Sequence, residues 1–165
     1  MSHPKRSTEI GRLVVLSLGA AAIFGTIAPV HAAEQHHTVV SGDSIKWGPA
    51  PPSLPPGAQA AVLLGSPAKE GPFVLRLKLP TGFTIPPHRH SKDELVTVIS
   101  GKFGISSGEK LDRASLTALP PGSFVHLPTG MPHYASADIE TVVQINGMGP
   151  FDITYVDPND DPRRN

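Results

Sequence analysis

Three side chains able to ligate a metal fall within seven residues, in the pattern Gly82-x5-His88-Arg89-His90-x3-Glu94-x6-Gly101. Imidazole nitrogen and carboxylate oxygen suit iron, manganese, nickel, copper and zinc, and the chain has no cysteine to offer thiolate instead. On an extended strand, residues two apart share a face, so His88 and His90 stand roughly 7 Å apart along the backbone and can both turn to one ion. Ser91-Lys92-Asp93 is expected to reverse the chain and let Glu94 open a partner strand beside them. A fourth candidate, His133, follows Gly122-x5-Pro128-Thr129-Gly130-Met131-Pro132, where Pro and Gly build a tight turn into the strand that carries it. Arg89, between two ligand candidates, is expected on the opposite face in a structural role. His126 reads equally as a pocket-lining proton shuttle or as a satisfied barrel histidine.

The elements that must hold these residues are short and extended. With 19 prolines and 16 glycines in 165 residues, no window of about ten residues combines helical periodicity with helix formers. Instead, apolar or alternating runs end at Gly or Pro: Thr38–Val40, Ser44–Trp47, Ala60–Gly65, Phe73–Leu79, Phe83–His88, Glu94–Ser100, Lys102–Ser106, Ser115–Leu119, Ser123–Leu127, Met131–Ala135, Thr141–Ile145 and Phe151–Val156. That rhythm predicts a sandwich or barrel. Within it, Phe73, Leu75, Leu77 and Leu79 alternate with Val74, Arg76 and Lys78, one face for the core and one for water. The stretch from Gly48 to Gly57 holds five prolines and is read as a stiff loop. Trp47 beside it is expected to plug a barrel edge or a neighbouring subunit.

The two histidine blocks resemble the two signature motifs of the cupin superfamily, G-x5-H-x-H-x3-E-x6-G and G-x5-P-x-G-x2-H-x3-N. The first matches at Gly82, His88, His90, Glu94 and Gly101, and the second at Gly122, Pro128, Gly130 and His133, with Ala137 in place of the asparagine. The resemblance spans residues 82 to 137, about a third of the chain. It implies an all-β, single-domain cupin jelly-roll barrel (a double-stranded β-helix). It also implies His88, His90, Glu94 and His133 as ligands of one divalent transition metal (Fe, Mn, Ni, Cu or Zn). Four protein ligands around an octahedral ion leave two positions for a substrate, and Glu94 is the candidate catalytic base. Ala137 shares strand parity with His133 and is expected to face the cavity, widening it where the asparagine would stand.

The whole chain narrows the function class. Lys and Arg number 14 and Asp and Glu 14, with no basic block, which argues against nucleic acid as a partner. Lys5, Arg6 and Arg12, an apolar run from Leu13 to Val30, and Val30-His31-Ala32 have the layout of a secretory signal peptide. Residues 1–32 are therefore expected to be cut off between Ala32 and Ala33, leaving a periplasmic or secreted protein with no stable membrane anchor. The domain organisation that follows is N-terminal strands and a Pro-rich loop over 33–57, a barrel over 58–156 and a frayed tail over 157–165. The expected function is an exported metal-dependent enzyme acting on an oxygen-rich small molecule by dioxygenase, lyase or isomerase type chemistry. The alternative is a metal-dependent binding or sensing module without turnover, and the remaining possibility is a purely structural barrel. By analogy with cupins that pair through N-terminal strands, a homodimer is expected.

Overall fold

The computed structural model describes Met1 and residues 37–164, so the expected signal segment and its cleavage point fall outside the described residues. The described residues form eleven strands: β1 (Gly48–Pro49), β2 (Gln59–Leu64), β3 (Gly71–Leu79), β4 (Phe83–Arg89), β5 (Glu94–Ser100), β6 (Phe103–Ser107), β7 (Thr117–Leu119), β8 (Phe124–Leu127), β9 (His133–Ala137), β10 (Thr141–Gly149) and β11 (Thr154–Tyr155). They lie in two antiparallel sheets, one ordered β1-β2-β3-β10-β5-β8 and the other β11-β4-β9-β6-β7. From β3 to β6, and again from β7 to β11, each successive strand changes sheet. This is the jelly roll that the motif resemblance implied, within the sandwich or barrel expected from the spacing of the runs. Among the described residues, no helix is long and apolar enough to cross a membrane.

Strand alternation builds the interior. On β3, Phe73, Leu75, Leu77 and Leu79 are all buried, and the intervening Val74, Arg76 and Lys78 are half-exposed. Val96 and Val98 on β5, Ile85 on β4, Ile105 on β6 and Val143 and Ile145 on β10 meet them between the sheets. Each such aliphatic side chain contributes about 2 kcal/mol by leaving water.

Four details differ from the sequence expectation. Ser91-Lys92-Asp93 does not close a hairpin, because β4 and β5 belong to different sheets and the loop carries the chain across the barrel. Thr38–Val40 and Ser44–Trp47 are not strands; Gly42–Ser44 forms a 3-10 turn, and between residues 37 and 57 only β1 pairs, with β2. Thr38, Val39 and Val40 are exposed, without the partner edge a strand needs. Trp47 is half-buried under the Lys78 ammonium, which sits 4.6 Å from its ring centre. The tail is not frayed. Pro158–Asp160 and Pro162–Arg164 are 3-10 turns, Asp157 caps the first, and Arg163 Nη2 donates to Ile153 O at 3.1 Å.

Gly101 turns the corner from β5 into β6 at φ +81°. A Cβ there would overlap the Glu140 carbonyl oxygen and come within 2.5 Å of Thr141 Oγ1. Thr141 is fully buried and ties this corner to β10, accepting from Lys102 N at 3.0 Å and offering its hydroxyl to Lys102 O and Ile139 O. Gly101→Ala is therefore expected to cost about 3 kcal/mol through left-handed strain and overlap together. A thermal melt reads this as a lower midpoint, and an unchanged midpoint would mean that the corner yields freely.

Candidate metal centre

His88 lies on β4 directly opposite His133 on β9, and their ring centres are 4.2 Å apart. His90 follows one residue after β4 ends, with its ring centre 5.0 Å from that of His88 and 5.2 Å from that of His133. Glu94 opens β5 in the facing sheet, and its Oε2 lies 3.3 Å from Nε2 of both His90 and His133. The structure thus brings all four candidates to one point. All are buried, and one ligand atom from each of His88, His90 and His133 lies within 4.8 Å of the others, close enough to serve one ion.

Each imidazole is oriented by a backbone carbonyl. Nδ1 of His88 donates to Pro86 O at 2.7 Å, that of His133 to Met131 O at 3.0 Å, and that of His90 to Asp152 O at 2.5 Å. A carbonyl only accepts, so in all three rings the proton belongs on Nδ1 and the lone pair on Nε2. For His88 and His133 the carbonyl comes from two residues upstream across a proline, in Pro86-Pro87-His88 and Met131-Pro132-His133. Proline holds its own φ near −65° and keeps the residue before it extended, which fixes where that carbonyl points. His90 follows Arg89 instead, and is held from the far end of the chain. Phe151 stacks on its ring at 4.4 Å and 22°, while Asp152 Oδ1 accepts from Ser91 N and Oγ at 2.8 and 2.7 Å. Nothing in the sequence pattern pointed to the Phe151-Asp152 clamp, because the contact spans 62 residues.

The electrostatics follow from this burial. His88 is pushed down to about 3 by desolvation first and by the neighbouring His133 and His90 next, so it stays neutral. Burial opposes the charge on Glu94, but the neighbouring His133 and His90 outweigh it and hold the carboxyl below its ordinary range. For His90, burial is again outweighed, here by Glu94 and by the Asp152 carbonyl, and the pKa rises. With its proton on Nδ1, His90 Nε2 is buried with no hydrogen-bond partner, since Glu94 Oε2 at 3.3 Å is itself an acceptor. An orphaned buried acceptor is costly, and a cation beside it, with the Glu94 carboxylate opposite, satisfies it. The donor set and its orientation therefore fit a divalent transition metal.

The site opens into a cavity of about 240 Å³ between the sheets, which Phe103, Ile105, Ala135, Val143 and Ile145 also line. His126 takes no part in it. It lies exposed on β8 with Nε2 2.9 Å from Asp93 Oδ2, and Asp93 Oδ1 accepts from Thr129 N and Oγ1. Arg89 points away, as expected, to Glu109 at 2.9 Å. Ala137 faces inward with no exposed surface, but it packs into the apolar floor opposite Phe83 and Phe103 and does not line the cavity. The expected widening at that position is not found: Ala137 sits in register with Phe83 and Phe103, away from the cavity lining.

The sequence profile of the cupin domain matches residues 75–145, which contain all four site residues. Residues 75–145 of this chain form a cupin domain. Among solved structures, the polyketide cyclase RemF from Streptomyces resistomycificus superposes with a TM-score of 0.60 at 16 % identity, covering 77 % of this chain and 90 % of its own. An acetylacetone dioxygenase from Acinetobacter johnsonii gives 0.58 at 20 % identity, covering 79 % of this chain and 83 % of its own. KdgF from a Halomonas species gives 0.51 at 18 %, covering 70 % and 94 % respectively. At these identities the likeness shows the cupin fold. No functionally curated protein matches the sequence.

The buried neutral His88 has a consequence for stability. Its folded pKa, about 3, lies below the ordinary 6.5, so the unfolded chain binds the extra proton and this residue lowers stability as pH falls from 6.5 toward 3. In metal-free protein, replacing it with Gln is expected to flatten the dependence of unfolding free energy on pH by up to about 1.4 kcal/mol per pH unit in that window. Denaturant titrations at several pH values check this. Parallel curves for the two proteins would show that His88 titrates normally.

Proposed function

We propose that this cupin is a metal-dependent enzyme in which His88, His90, His133 and Glu94 hold one divalent transition-metal ion and a small molecule chelates that ion from the cavity. The observation that carries the reading is the set of three imidazoles, each locked by a carbonyl with Nε2 turned to one point, where the Nε2 of His90 has no other partner. When bound, the metal would supply Lewis-acid polarisation or oxygen activation. The protein's part is to orient and to shield. Glu94 is the one carboxylate among the four buried residues, and it is held ionised by His90 and His133. As a ligand of the ion it would be a weak base, and it becomes a competent proton acceptor only as that bond loosens. The apolar walls exclude water from whatever reacts there. Export belongs to the same proposal and is supported by the charged, apolar and small-residue layout of the first 32 residues.

The test begins with metal. Full-length protein is expected to carry close to one Fe, Mn, Ni, Cu or Zn per chain by elemental analysis, and a His88→Ala/His133→Ala variant close to none. Absence of metal from the wild type after reloading would overturn the ligand assignment. In metal-loaded protein, Glu94→Gln is expected to lower turnover at least 100-fold while most of the metal is retained. A wild type that holds a ligand and releases no product would instead make this a binding module.

A further inference from the structure

The cavity wall says what kind of molecule can occupy it. Most of the polar side chains in the lining are the three histidines and Glu94, gathered at one point. The remainder of the interior is aliphatic or aromatic, with Leu77, Leu79, Ile85, Val96, Phe103 and Ile105 among its residues, and among the described lining residues there is no Lys, Arg, Asn, Gln, Thr or Tyr. Ser53 and Asp152, both on loops between strands, complete the polar lining. The Ser53 carbonyl accepts from Tyr155 Oη at 2.8 Å and the Asp152 carboxylate is taken up by Ser91, which leaves the Ser53 hydroxyl as the one further polar side-chain group of the wall. The backbone groups of β3, β5 and β10 are engaged in their own antiparallel ladders. Away from that one hydroxyl, a hydroxyl or second carboxylate carried away from the metal would lose its water and gain no partner.

We infer that the occupant is a small molecule whose oxygens are confined to one chelating head and whose body is an apolar ring or chain. Sugar acids and other polyhydroxylated compounds, included in the oxygen-rich class expected from sequence, do not fit this wall. The size follows from the volume. A dry apolar cavity of about 150 Å³ accommodates benzene, so about 240 Å³ takes roughly ten non-hydrogen atoms, head included. This inference rests on the proposed metal site, because the head needs an ion to chelate.

Allomaltol and kojic acid separate the two ideas. They share one hydroxypyranone chelating head and differ only in a ring methyl against a hydroxymethyl, so their affinity for free metal is closely matched. Calorimetric titration of full-length protein, with its metal content measured beforehand, is expected to show allomaltol binding roughly 5- to 100-fold more tightly than kojic acid, the loss for one unpaired hydroxyl. Galacturonate is expected to bind more weakly still, and metal-free protein should bind allomaltol at least tenfold more weakly. Ala135→Val, which adds bulk to the cavity one inward position from His133 on β9, is expected to weaken allomaltol at least tenfold with the metal content unchanged. If kojic acid or galacturonate binds metal-loaded protein as tightly as allomaltol, or if none of the three binds, the inference about the occupant is overturned while the metal site stands. If the protein takes up no metal, both fall together.

Discussion

A neutral imidazole presents a lone pair from only one ring nitrogen, and the hydrogen bond at the other nitrogen decides which. Everything at this site depends on that constraint. Three histidines can serve one ion only if three separate acceptors, fixed in space, take the three Nδ1 protons. Here the acceptors are backbone carbonyls, which cannot rotate away as a side chain could. The barrel can be read as the device that brings Pro86 O, Met131 O and Asp152 O to their places around one point.

The three holds are unequal in kind. Those on His88 and His133 are local, because each carbonyl lies two residues before its histidine across a proline, and β4 and β9 pair these histidines directly. Neither needs more than its own strand to find its tautomer. His90 stands beyond the end of β4, where the ladder gives no support, and it depends on a segment from the far side of β10. That segment supplies a stacked ring, a carbonyl and a carboxylate that fastens Ser91 next to it. The aromatic wall reaches further, since Phe151 also packs on Phe73 at 5.2 Å between ring centres. The third ligand is thus tied to the hydrophobic core, and loosening there reaches the site.

This division explains what could be read from the sequence. Period-two alternation in Phe73–Leu79 and the bounds of Glu94–Ser100 were legible because a strand with one wet face writes its burial directly into residue type. The four ligand candidates were legible because their spacing sits in two short motifs. The sheet to which each strand belongs was not, since a three-residue loop closes a hairpin or crosses a barrel with the same composition. Expecting Ser91–Asp93 to form a hairpin was wrong for that reason. The clamp on His90 was out of reach because it joins residues 62 apart. The inward parity of Ala137 followed from counting along its strand, whereas its register with Phe83 and Phe103 depends on two neighbouring strands.

Burial then acts on the two halves of the site in opposite senses. At the polar end, desolvation strips the proton from His88 and leaves its lone pair free for a cation at any ordinary pH, while the Glu94 carboxylate keeps its charge because His90 and His133 reward it. The site is therefore prepared for a positive ion by the same water exclusion that would make a bare charge untenable. At the other end, the same exclusion leaves the wall little with which to greet a polar group. A ligand must then direct all of its polarity toward the histidines and turn its apolar surface to β3, β5 and β10. The interior thus sets the shape of its ligand's polarity as firmly as its motifs set the donors.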